Sequence, residues 1–207
     1  MKLAQHKDST QVQLYTSTRR GVTFAKVQPG QFYVCSNGTE ITTVLGSCIA
    51  ACIYDLKAGV GGLNHFMLPQ DLNADYHDGT VTPQPSSRFG ENAMANMLKQ
   101  LMLAGAQRKN LQAKVFGGAK VLDISSNIGQ LNIAFADSYF KRENIPVIAS
   151  DVGGNLPRKL IFEPRTGKVH VNRLRNAYFE HVASKERHYL NRLSKTIRST
   201  LGSNRDD

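Results

Sequence analysis

At 207 residues with 41% hydrophobic side chains, the chain can bury one full core and has the composition of an ordinary soluble globular domain. Its net charge of +10 favours an acidic partner or surface, and residues 165–205 hold ten Lys plus Arg against two Asp plus Glu. No apolar leader opens the sequence and no run approaches the length of a membrane span, so a cytoplasmic protein without membrane insertion is expected. Three cysteines, Cys35, Cys48 and Cys52, fit neither a disulfide framework nor a zinc site, and neither metal nor cofactor is expected.

In chain order, residues 1–27 are polar and weakly patterned and read as a flexible N-terminal arm or a short preliminary strand, with order starting near Gln28. Strands are predicted at about 31–35, 48–55, 60–68, 113–117 and 146–151. A further pair at 158–163 and 168–173 encloses the turn EPRTG. Asp71–Ser87 lacks periodicity, carries Pro83 and Pro85, and reads as an exposed loop. Met94, Leu98, Leu101 and Met102 recur at helical spacing with Gly105 placed to end the helix, and Ile128, Leu131, Phe135 and Tyr139 mark a second helix. The glycine pairs at 117–118 and 153–154 match no phosphate loop and read as tight turns at strand ends. Beyond Leu174, Val182, Tyr189, Leu193, Ile197 and Leu201 form a thin apolar stripe on a basic helical stretch that either docks on the core or awaits a partner. No nucleic-acid-binding motif accompanies the charge, and nucleic acid is not expected as a partner. The sum is an α/β fold, a mixed-sheet sandwich with helices packed on the sheet and a basic C-terminal helical extension.

Cys48 and His65 stand out. They lie in adjacent strand-like runs separated by Leu56, Lys57, Ala58 and Gly59, which reads as a hairpin able to bring a thiol and an imidazole onto one face. Gly46 and Ser47 suit a tight turn that delivers the sulfur to a strand end. Asn64, Thr42 and Thr43 supply groups able to orient the ring. The alternative is a buried structural cysteine and a satisfied core histidine.

The series TTVLGSC, HFMLP, RFGENAM, AKVFGGA, NIGQLN and DVGGNLPRKLIFEPRTGKV, in that order across Gln28 to Val171, resembles the bacterial chemoreceptor glutamine deamidase family, CheD. The resemblance implies an α/β sandwich related to the deamidase domain of cytotoxic necrotizing factor, with a Cys-His-Thr triad. Carried over, the triad is Cys48, His65 and, six positions before the cysteine, Thr42. On a strand only one of Thr42 and Thr43 can reach His65, and the family spacing selects Thr42. The implied domain is 28–173, with 1–27 as arm and 174–207 as extension. The implied reaction is deamidation of glutamine to glutamate on the cytoplasmic helices of methyl-accepting chemotaxis receptors, through a thioester. Some members also hydrolyse glutamyl methyl esters, and binding to a CheC-type CheY-phosphatase is a family property. Read without the resemblance, the same residues also fit a thiol hydrolase of other amides or esters, and the fold alone fits a non-catalytic binding module.

Overall fold

The computed structural model describes residues 12–67, 85–121, 128–175 and 178–188. Its strands are β1 (Gln13–Ser17), β2 (Val22–Lys26), β3 (Phe32–Cys35), β4 (Glu40–Leu45), β5 (Ile49–Asp55), β6 (Val60–Phe66), β7 (Gln112–Gly117), β8 (Val147–Val152), β9 (Arg158–Glu163) and β10 (Lys168–Arg173). Helices α1 (Pro85–Leu103) and α2 (Ile128–Arg142) interrupt them, and residues 178–188 form a third helical segment, α3. The strands make two five-stranded mixed sheets, ordered β1-β2-β4-β9-β10 and β3-β6-β5-β7-β8.

Strand β5 sets the layering, because all seven of its residues are buried and their side chains alternate between two cores. Ile49, Ala51 and Ile53 join Met94, Met97 and Leu101 of α1 and Ala136, Tyr139 and Phe140 of α2. Cys48, just before the strand, and Ala50, Cys52 and Tyr54 instead join Ile41, Leu45, Leu160 and Phe162 of the facing sheet. The result is sheet on sheet, with α1 and α2 covering the outer face of the second sheet, as the α/β sandwich reading expects.

Both helices end where local chemistry dictates. Gly105 lies at φ +101, Ala106 N–H bonds to the Leu101 carbonyl and Gly105 N–H to that of Met102, which is the Schellman closure. Asn144 does the same for α2 at φ 52, with Ile145 N–H on the Phe140 carbonyl.

Two expectations change and two that were open become specific. Residues 13–17 and 22–26, read as part of a flexible arm or a short preliminary strand, form β1 and β2. Both are short; β1 is exposed, β2 buries Phe24 and Ala25, Tyr15 stacks on Phe24 at 5.3 Å and β2 runs parallel to β4. Helix α1 starts at Pro85, inside the expected loop, since proline is tolerated in the first turn of a helix; residues 71–84 lie outside the described residues. Leu131 is 40% exposed, and α2 instead buries Ile128, Asn132, Ala136 and Tyr139. The apolar stripe after Leu174 docks at Val182; Tyr189, Leu193, Ile197 and Leu201 fall outside the described residues.

Candidate active site

Cross-strand register places the two candidate groups. His65 of β6 pairs with Ala50 of β5 and shares the inter-sheet face with Leu63 and Met67. Cys48 lies two residues before Ala50 on that same face, one diagonal step from His65, an arrangement that leaves roughly 7 Å between Cβ atoms. Both side chains are buried, at 1% and 2% exposure. The backbone of His65 is pinned as well, donating to the Gln31 carbonyl and accepting from Gly30 N–H.

The threonine beside the ring is Thr43. Its Oγ1 lies 2.8 Å from His65 Nδ1, whereas Thr42 Oγ1 donates to the Leu160 carbonyl at 2.7 Å. The expectation of Thr42 at His65 is therefore corrected, and the reason is strand parity. Ile41, Thr43 and Leu45 alternate with Thr42 and Val44, and Ile41 and Leu45 pack toward the sheet that carries His65. That alternation was present in ITTVL, so residue parity could have found Thr43 where family spacing did not. Asn64 also turns away from the ring: its Oδ1 accepts from Ala51 N–H and its amide nitrogen contacts Met94 Sδ.

The hydrogen bonds around Thr43 determine the tautomer of His65. Thr43 Oγ1 donates its one proton to the Val27 carbonyl at 2.8 Å, so toward the ring it can only accept. Nδ1 must then carry the hydrogen, and Nε2 keeps a bare lone pair. Nε2 is buried without a hydrogen-bond partner among the described residues. Burial pulls the imidazole down to about 3, so the ring is neutral at physiological pH.

Cys48 sits at the end of a turn held by its carbonyls. Gly46 C=O accepts from Ala119 N–H at 2.8 Å, Ser47 C=O from the Asn132 side-chain amide at 2.8 Å, and Cys48 C=O from Gly118 N–H at 2.8 Å. Gly117 permits this close approach: at φ +112, an added Cβ would fall 2.1 Å from the Cys48 carbonyl oxygen. With three successive carbonyls held by 118–119 and α2, the N–H groups of Ser47 and Cys48 remain for another acceptor. That acceptor is Glu186 of α3, whose Oε1 takes Ser47 N–H at 2.7 Å and Cys48 N–H at 3.5 Å, while Oε2 takes the Ser47 hydroxyl at 2.9 Å. Burial raises the Cys48 thiol well above its usual range, and the neighbouring carboxylate raises it further.

Arg158 fastens the glycine turns behind this site. Its guanidinium donates to the carbonyls of Gly117 and Gly153 and to Asp151, while Gly153 N–H bonds to the Gly117 carbonyl. Asn132, Arg158 and Glu186 escaped the sequence reading because a lone polar residue on a helix or strand carries no spacing signal.

Residues 67–173 match the family model described as CheD chemotactic sensory transduction. A protein of Hydrogenovibrio crunogenus named probable chemoreceptor glutamine deamidase CheD is 42% identical over 84% of this chain and 89% of its own. The chain belongs to the CheD family. Proteins of the same name from Methylobacillus flagellatus and Hahella chejuensis are 43% and 38% identical over 82% and 86% of this chain and 83% and 82% of their own. The CheD family model begins downstream of Cys48 and His65, but a match over 84% of 207 residues must include both. Among the described residues no helix is long and apolar enough to cross a membrane.

Proposed function

We propose that this CheD-family chain deamidates glutamine side chains on the cytoplasmic helices of chemoreceptors, with Cys48 as nucleophile, His65 as proton carrier and Thr43 as the residue that positions His65. The observation that carries the reading is the bare Nε2 of a neutral, Thr43-held imidazole on the same face as Cys48. A thiol raised by burial and an imidazole lowered by it rest as a neutral pair. Cys48 therefore attacks as its proton passes to Nε2, rather than from a standing thiolate.

In the first half-reaction the Sγ–H proton moves to Nε2 and an S–C bond forms at the carboxamide carbon. The N–H groups of Ser47 and Cys48 receive the oxyanion. Collapse breaks the C–N bond as Nε2 protonates the departing ammonia, leaving a thioester. In the second, Nε2 takes a proton from water, hydroxide adds to the thioester carbonyl, and the sulfur leaves with the proton returned by the ring. The products are glutamate and ammonia. Support for the receptor substrate comes from the names of the relatives, each a probable chemoreceptor glutamine deamidase.

The test is mass spectrometry of a chemoreceptor cytoplasmic fragment incubated with the protein, reading the roughly +1 Da gain per glutamine that hydrolysis through an acyl-enzyme requires. Conversion is expected with the native chain. Cys48→Ala and His65→Ala should each lose on the order of 10³-fold or more, since members of such a unit do not act alone. Full activity in folded Cys48→Ala ends the reading.

A further inference from the structure

Glu186 is 5% exposed, and among the described residues its carboxylate makes no ion pair. Its oxygens are satisfied by the two turn amides and the Ser47 hydroxyl. A buried carboxylate with no cation is a costly way to fasten a helix, and an amide or hydroxyl would serve more cheaply. Its position has chemical content instead. One carboxylate oxygen lies on the N–H pair that the proposed reaction uses for its oxyanion, beside the nucleophilic sulfur. Gly46 makes the space, because an added Cβ would lie 2.5 Å from Oε1 and 2.8 Å from Val121.

The rest of α3 supports that carboxylate as a helix in a groove. Val182 and Ala183 are buried one turn before Glu186 on the same face, and Ala183 packs with Ala119 and Val121 while Phe179 closes the cluster. The cradle of Ala119 and Val121 therefore accepts a small side chain three residues before the glutamyl group. Glutamate is also what the proposed reaction makes from glutamine.

We infer that Gly46–Cys48, Ala119 and Val121 form a groove for an α-helix presenting a glutamyl side chain, and that α3 occupies this groove as a tethered product mimic. The inference rests on the deamidase reading for the word product. The occlusion itself rests on geometry alone. While Glu186 holds the Ser47 and Cys48 amides, no substrate carbonyl can reach them. The same carboxylate raises the adjacent thiol, opposite to what attack requires. Helix α3 must leave before a receptor helix enters, so the tail competes with substrate for one site.

The experiment measures alkylation of Cys48 by iodoacetamide in the full chain, mapped to the Cys48 peptide, for the native protein, Glu186→Ala and Val182→Arg. The second variant keeps the carboxylate but expels the helix. Melting temperatures establish that both are folded. The same three proteins are assayed on the receptor fragment. Both variants should alkylate about tenfold faster, because exposure and a lower thiol pKa both raise reactivity, and both should convert the fragment faster. Equal alkylation in all three overturns the inference, and fragment conversion in that case leaves the deamidase reading intact. Faster alkylation with no fragment conversion by any of the three sinks the deamidase reading and upholds the occlusion.

Discussion

Thr43 directs its only hydroxyl proton to the Val27 carbonyl, and this one bond decides which nitrogen of His65 stays basic. Thr43→Ala should cut deamidation by roughly 10²-fold, the scale of a misplaced general base, by freeing the ring to rotate or change tautomer. Thr43→Ser keeps the hydroxyl and should recover most of the rate, a rescue that a packing role would not give. Thr42→Ala removes a bond to the Leu160 carbonyl instead, and should cost about 1 kcal/mol of stability while leaving kcat near native. Parallel kcat measurements and urea melts on the three variants check this; a kcat loss confined to Thr42→Ala would return the positioning role to that residue.

His65 also links the site to stability. Its folded pKa, near 3, lies below the ordinary 6.5, so the unfolded chain binds its proton first as pH falls. The contribution is complete above pH 6.5 and is lost as pH drops toward 3, at up to about 1.4 kcal/mol per unit for this one group. His65→Gln should flatten the urea-derived stability profile between pH 6.5 and 4 relative to the native chain. Parallel profiles would place the proton elsewhere.

At the scale of elements, the turn at Gly46–Cys48 is held from outside its own hairpin. Asn132 of α2 donates to the Ser47 carbonyl, and Arg158 of β9 ties the 117–118 turn to the 153–154 turn. Asn132→Ala leaves that carbonyl short of a buried donor and should lower kcat more than it raises KM, since the turn amides proposed to receive the oxyanion lose their alignment. A substitution in α3 probes the same turn from the other side. Glu186→Gln puts a carboxamide in the place of the carboxylate. If the side chain sits in a reactive pose, Cys48 should hydrolyse it back, a gain of roughly 1 Da at position 186 that vanishes in the double variant with Cys48→Ala. Peptide mapping reads it directly, and a carboxamide that persists would mean the glutamyl group rests on the amides without reaching the sulfur.

The hairpin that carries Cys48 and His65 was legible because long apolar runs with a four-residue connector define strand order and face. The β9–β10 hairpin was legible equally well from the EPRTG turn. What stayed hidden depends on tertiary placement. Strand β1 is polar and exposed at a sheet edge and β2 is only five residues long, so neither gives a long apolar run, and the choice between Thr42 and Thr43 turns on which face of β4 meets the other sheet. Glu186 lies 139 positions from Ser47 and looks like one more charge on a solvated helix until the fold brings it to the turn.

For the whole molecule, the tail could act on catalysis in two opposed ways, by blocking the groove or by steering the protein toward acidic receptor helices. Charge decides which dominates. Ending the chain at Arg175 removes six basic and four acidic residues and leaves a net charge of +8 out of +10. Most of the field that steers encounter therefore survives, and it is screened beyond about 8 Å at physiological salt in any case. Truncation should raise kcat/KM on the receptor fragment at every salt concentration by unblocking Cys48, with nearly the same salt slope as the native chain. Glu186→Ala in the full chain should give a similar rise. Rates across a salt series for the three proteins test the balance. A truncated protein that is slower at low salt and equal at high salt would mean that steering by the tail outweighs its occlusion of the groove.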